Sequence, residues 1–211
     1  MPYACYGTAR RADCRAQFTG AGREDLDVRM LGGGRPFVLE ACNARAAPPS
    51  AAALAAASAA LAAGGRVEVR ALSVLTKAQR ALLKEGEAEK SKAYRAVVSL
   101  SRPLTPADAA ALAARGAVTL AQATPVRVLH RRAALTRERD VLAMAARPLP
   151  GHPRAFVLDL RCAAGTYVKE FVHGDFGRTR PSLADLLDPA QPRATADCIQ
   201  LDVVGVEMEW I

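Results

Sequence analysis

Short runs in which apolar and polar residues alternate dominate the chain, and they predict a protein built mainly from strands. Val67, Val69 and Ala71 alternate with Arg66, Glu68 and Arg70, the pattern of a half-buried strand. The turn Gly32-Gly33-Gly34 precedes a strand expected at Phe37–Cys42. Further strands are expected at 93–101, 125–130, 137–145 and 155–162, with one or two more over 199–210. Helical signals are fewer. Ser50 caps an alanine-rich run that Gly64-Gly65 ends, and its two leucines, Leu54 and Leu61, make only a thin apolar stripe, so this helix should pack weakly. Thr76 with Gln79 forms a capping box for a helix to about residue 85. Thr105, Pro106 and Asp108 start a helix that Gly116 stops. Gly165-Thr166 begins another, and Ser182 caps a short one through Leu187.

Many strands joined by turns, with a few helices between them, indicate an α+β fold with a largely antiparallel mixed sheet and flanking helices. Residues 1–20 read as a lead-in or tail without periodicity. No shift in composition divides the remainder, which points to one domain over 21–211.

Composition narrows the class. The 211 residues carry 29 Lys and Arg against 21 Asp and Glu, a net charge of +8, which favours polyanionic partners and nucleic acid above all. Aromatic residues make up only 5%, so the core rests on small aliphatics. No run of about 18 apolar residues occurs, so no membrane-spanning helix is expected. The five cysteines are odd in number and scattered, with no C-x-x-C pair. This fits neither zinc nor a disulfide scaffold and favours a reducing, intracellular compartment. Nucleus or cytoplasm is the leading expectation, and the arginines near the N-terminus leave an organelle open.

Four stretches are polar in ways a fold does not require. Gly22-Arg23-Glu24-Asp25-Leu26-Asp27-Val28-Arg29 is an ionic cluster. If extended, it would set Asp25 and Asp27 between Arg23 and Arg29 on one face, and a neighbouring arginine favours an ionised carboxylate. A solvated surface patch accounts for the same residues. So, in principle, does a metal-binding D-x-D, although the flanking arginines oppose a cation and a hard ion wants more oxygen ligands. The second stretch is Lys92-Ala93-Tyr94, an aromatic at a strand entry. The third is the basic turn reached by Arg127, with His130, Arg131 and Arg132, suited either to solvent or to RNA phosphate. The fourth runs over 165–179 and includes Lys169 and His173.

Taken together, these stretches resemble a family. Arg23-Glu24-Asp25-Leu26-Asp27-Val28-Arg29-Met30-Leu31-Gly32, followed by Gly34-Arg35-Pro36-Phe37, looks like the active-site motif of pseudouridine synthases. More narrowly, it is similar to the archaeal and eukaryotic tRNA pseudouridine(54/55) synthases. The likeness continues at Lys92-Ala93-Tyr94, at 124–132, most densely at 164–178, and at Ile199-Gln200-Leu201-Asp202-Val203. The family's N-terminal RNA-binding region, with its THUMP-type module and cysteine pairs, has no counterpart in these residues.

The resemblance implies a pseudouridine synthase catalytic fold acting on tRNA without a cofactor or metal. It implies that Asp25 is the catalytic aspartate and that Tyr94 stacks on the flipped uracil. Lys169 would pair with the catalytic carboxylate, beside an apolar wall from Val168 that Ile199 or Leu201 closes. Arg23 and Arg29 would support the substrate site, Asp27 would hold Arg29 or the loop, and Arg127, His130, Arg131 and Arg132 would meet RNA. A catalytically silent RNA-binding module on the same fold is the alternative.

Overall fold

A computed structural model describes residues 15–44, 46–76, 78–80, 90–187 and 194–207. Contacts divide the chain into two compact units, one comprising 1–21 and 36–85 with residue 211, the other 22–35 and 86–210.

The first unit contains β1 (Arg15–Gly20) and β3 (Phe37–Cys42), paired antiparallel, and α1 (Ala51–Ala63). Phe18 stacks on Phe37 across the pair, with ring centroids 5.4 Å apart. β1 falls in the span expected to be a lead-in. The α1 boundaries follow the capping signals: Ser50 Oγ accepts from the Ala53 amide at 3.3 Å. No residue of α1 is buried, as its thin apolar stripe predicts, so alanine propensity and the cap sustain it. The strand expected at 67–71 does not form. This stretch is irregular, and Val67 is exposed, because alternation without a partner strand leaves the backbone unpaired. At the Thr76 capping box residues 78–80 are helical, and the rest of that expected helix lies outside the described residues, as do 1–14 and 208–211.

The second unit is a seven-stranded sheet. Its other strands are β2 (Arg29–Met30), β4 (Lys92–Leu100), β5 (Val118–Ala123), β6 (Thr136–Leu149), β7 (His152–Cys162), β8 (Thr179–Arg180) and β9 (Ala196–Val206), in the order β2-β9-β4-β7-β6-β5-β8. Only β2 against β9 is parallel. The α+β, largely antiparallel expectation therefore holds. Its helices are α2 (Pro106–Ala114), α3 (Val168–His173) and α4 (Leu183–Leu187).

Alternation explains the core. Tyr94, Ala96 and Val98 of β4 lie opposite Leu160, Leu158 and Phe156 of β7, and all six are buried. Leu112 of α2, Phe171 and Val172 of α3, and Leu183 of α4 join the same core. Two expectations change here. Residues 125–130 are not a strand but a 3-10 turn, Val126–Val128, because Pro125 starts it and its amides bond locally, Val128 N to Pro125 O at 3.0 Å. β5 was not legible as a strand because its inward positions include a polar residue, Gln122.

Candidate active site

The site belongs to the second unit and begins with the loop from Gly22 to Arg35. The loop is not extended through its acids. The Val28 amide donates to Asp25 O at 3.1 Å, closing a turn around Leu26 and Asp27. Arg23, Asp25, Asp27 and Arg29 therefore do not share a face, and the last three differ in the group that hydrogen-bonds them.

Asp25 accepts a hydrogen bond from Arg127 Nη1 and lies 3.8 Å from Lys169 Nζ. Asp27 takes the direct contacts of Lys169, at 2.6 and 2.8 Å. That hydrogen bond, with the positive charges of Lys169 and Arg127, holds the Asp27 carboxyl below its ordinary range. Lys169 thus reaches both acids but binds Asp27 more tightly. Asp27 does not hold Arg29. Arg29 instead makes a two-pronged pair with Asp202, Nε to Oδ1 and Nη2 to Oδ2, both at 2.8 Å. Asp202 is buried on β9, and the Arg29 hydrogen bond lowers its pKa.

Arg127 sits in the site rather than on an outward basic turn. Its Nε and Nη2 donate to the two oxygens of Glu170 at 2.8 and 3.1 Å. Glu170 is only 3% exposed, and its hydrogen bonds raise the arginine's pKa. The guanidinium also lies 5.9 Å from the centroid of the Tyr167 ring. The start of α3, which carries Lys169 and Glu170, is pinned by buried Gln122. Its Nε2 donates to Tyr167 O at 3.0 Å, and its Oε1 accepts from the Tyr167 amide at 2.8 Å.

A second ionic group anchors the other end of the loop. Glu24 Oε1 accepts from Arg35 Nη2 at 2.6 Å and from Lys92 Nζ at 3.0 Å, with all three side chains mostly buried. Gly22, at φ 90°, passes these cations so closely that a Cβ would lie 3.0 Å from Arg35 Nη1. Gly32, at φ 63°, approaches β9 closer still: a Cβ would come within 2.2 Å of Val204 O. The triple-glycine stretch is thus a close-packed crossing as well as a turn.

Tyr94 is 5% exposed, within the core cluster. Burial and the charge of Glu24 push its phenol well above its ordinary pKa, so it stays neutral. Val168, expected to form an apolar wall, is buried in the same core cluster. Of the two residues expected to close that wall, Leu201 is buried and Ile199 is exposed. Arg23, His130, Arg131 and Arg132 are exposed. Among the described residues no group of three or more His, Cys, Asp or Glu is placed to hold a metal ion. Sequence reasoning missed Glu170, Glu24, Gln122 and the role of Asp202 as the Arg29 partner. Glu170 stood beside Lys169 in the densest motif, but nothing local marks a glutamate as buried.

Comparison with known proteins follows this geometry. The family model described as "Pus10, C-terminal" matches residues 7–207. The chain is 40% identical over 194 residues to the mouse (Mus musculus) protein named tRNA pseudouridine synthase Pus10, covering 92% of this chain and 36% of that protein. It is 42% identical over 193 residues to the Aeropyrum pernix protein of the same name, covering 90% and 42%. The chain therefore spans about two fifths of the length of these relatives. Among solved structures, a Cbf5-Nop10-Gar1 complex aligns with a TM-score of 0.43 and 17% identity, over 63% of this chain and 35% of that one.

Proposed function

The chain belongs to the Pus10 C-terminal family, and on that premise we propose that it isomerises uridine to pseudouridine in the T-arm of tRNA, at position 54 or 55, with Asp25 as the essential carboxylate. The observation that carries this reading is the meeting of Asp25, Arg127 and Lys169, three residues from distant parts of the sequence, around one carboxylate. The catalytic role is assigned to the span 21–211, and every residue used below lies in the second unit.

The reaction breaks the bond between C1′ and N1, turns the base, joins C5 to C1′, removes the proton from C5 and leaves N1 protonated as N–H. The bonds made and broken balance without an external group, so no cofactor or metal is required. Asp25 either attacks C1′ or takes the 2′ proton. On both routes Arg127 and Lys169 aim the carboxylate and offset charge that develops beside it. The uridine must leave its stack, at a cost of a few kcal/mol. Tyr94 is assigned to stack on it, with Val168 beside it as apolar wall, and since both are buried here the base must open a way to them. Tyr94 is assigned a part in moving the C5 proton, as the family resemblance implies. Arg23 and Arg29 flank the substrate loop, Arg131 and Arg132 offer exposed positive charge to RNA phosphates, and His130 beside them offers an exposed ring nitrogen. Among the described residues no helix is long and apolar enough to cross a membrane. The scattered cysteines, with no C-x-x-C pair, lead us to place the protein in a reducing compartment, nucleus or cytoplasm.

The test is pseudouridine mapping on tRNA incubated with wild-type, Asp25→Asn and Tyr94→Phe proteins. Wild-type conversion that disappears in Asp25→Asn is the expected result. Full activity of Asp25→Asn would overturn the mechanism, and RNA binding without conversion by the wild-type chain would favour a silent binding module.

A further inference from the structure

Directly after α3 the backbone runs through four consecutive residues of positive φ: Gly174 at 76°, Asp175 at 46°, Phe176 at 55° and Gly177 at 86°. The two glycines adopt this region freely, whereas Asp175 and above all Phe176 do so against their preference. Strain of this kind normally persists where packing enforces it. Packing does enforce the base of the turn. The Asp175 amide donates to His173 Nδ1 at 3.0 Å, and the Arg178 amide donates to Asp175 O at 3.0 Å. Asp175 is buried, with Oδ2 at 3.8 Å from Arg178 Nε. A Cβ on Gly174 would meet Ser182 at 3.2 Å. Nothing of the sort accounts for the Phe176 ring, which is 102% exposed. A strained turn tied down at its base thus holds Phe176 entirely in solvent, the pattern of a strained functional residue.

The surroundings indicate what meets that face. The Ala123 amide donates to Arg178 O at 3.0 Å, and Arg178 Nη2 donates to Thr124 O at 2.7 Å. Thr124 Oγ1 in turn donates to Ala133 O at 2.8 Å and accepts from Arg137 Nη1 at 3.1 Å. The turn is therefore fastened to the root of the loop that presents His130, Arg131 and Arg132. The Arg180 guanidinium lies beside Gly177, 3.3 Å from where a Cβ would stand. The nearby acids Asp175 and Asp185 are each engaged by an arginine, Arg178 and Arg180, and Glu138 on β6 is a further exposed acid. Arginines still predominate. The loop that presents His130 also exposes the aliphatic side chains Val126, Leu129 and Leu135, which an apolar protein segment would engage, so a Phe176→Leu variant separates that occupant from a base. A lone aromatic among guanidiniums suits a single-stranded nucleic acid, whose bases offer π faces and whose phosphates offer charge. Four residues of α3, 170–173, separate Lys169 from Gly174, a rise of roughly 7.5 Å along the helix. The ring is thus placed for a neighbour of the reacting nucleotide and not for that nucleotide itself.

We propose that Phe176 is an RNA-stacking residue, held out by the left-handed turn 174–177 to take an unpaired base flanking the target uridine, with the surrounding arginines on the adjoining phosphates. The inference rests on the RNA substrate proposed above. It is tested by measuring the affinity of the whole chain for an in vitro transcribed tRNA, with pseudouridine formation followed separately. Phe176→Ala and Phe176→Leu should weaken binding by about 5- to 150-fold, whereas Phe176→Tyr and Phe176→Trp should stay within about threefold of wild type. Phe176→Gly should bind as weakly as Phe176→Ala yet melt at a higher temperature, because the glycine relieves the backbone strain. Unchanged affinity in Phe176→Ala overturns the proposal, and so does a Phe176→Leu protein that binds as well as Phe176→Tyr, which would mark a contact with another protein segment. If Phe176-dependent binding appears but wild type forms no pseudouridine, the isomerase reading fails and this one stands. Pseudouridine formation with unaltered affinity in Phe176→Ala overturns this one alone, and a wild-type chain that binds no RNA overturns both.

Discussion

Arg127 and Glu170 form a two-pronged ion pair, Nε to Oε1 at 2.8 Å and Nη2 to Oε2 at 3.1 Å, and the same guanidinium continues to Asp25 through Nη1. A planar fork engaging two carboxylates at once is geometry that arginine supplies and lysine does not. Glu170 is buried in α3, so the pair transmits the position of the core helix to the loop that carries Asp25.

Arg127→Lys should therefore lower kcat by at least about tenfold with a smaller change in KM, because aiming is lost while charge is kept. Arg127→Ala should in addition destabilise the fold by about 2 kcal/mol. This is below the cost of breaking a fully buried pair because the arginine side chain is itself 37% exposed. Steady-state kinetics and urea unfolding separate the two effects.

Gln122 should behave as a structural amide for the same helix. Gln122→Met keeps the volume but leaves Tyr167 N–H and C=O without these partners, at a cost of about 1–3 kcal/mol. Chemical denaturation measures it. Activity should fall with stability as the start of α3 loosens.

Gly32→Ala should disturb the loop from its far end. The backbone at φ 63° disfavours a side chain, and a Cβ 2.2 Å from Val204 O cannot be accommodated without displacing β2 from β9. A loss of about 2 kcal/mol or more is expected, together with a lower kcat. A wild-type melting curve for Gly32→Ala would contradict the observed crossing.

The Arg29–Asp202 pair gives stability a pH dependence with a definite sign. The folded pKa of Asp202 lies below its reference value of 3.8, so its contribution is present above that pH and is lost as pH falls through the folded value. In urea midpoints taken across acid pH, wild type should exceed Asp202→Asn above pH 3.8. The gap should close as the pH drops further.

Asp25 and Asp27 should separate in kinetics although only Leu26 divides them. Asp25→Ala should abolish pseudouridine formation, whereas Asp27→Ala should cost about tenfold or less, since Asp27 supports Lys169 and is largely exposed. Equal losses in single-turnover assays would show that the reactive acid was misassigned.

Local signals carried much of the fold. The Ser50 and Thr105 caps bound α1 and α2, and alternation marked β4 and β7, because caps and side-chain period are properties of neighbouring residues. Asp25, Tyr94 and Lys169 stand out only through the resemblance that the ordered motifs carry, since each taken alone has an ordinary structural reading. Residues 67–71 and 118–123 mark where this ended. The first alternates yet finds no partner strand, and the second carries Gln122 inward where an apolar residue would be expected. Partner choice lay wholly beyond local pattern. Arg29 pairs with Asp202 across 173 residues of sequence, and Arg127 reaches Asp25 across 102. An ion pair depends on distance and burial in space, so only the packing of α3 and β9 against the loop decided that Lys169 would serve Asp27 first and that Arg127 would hold Asp25.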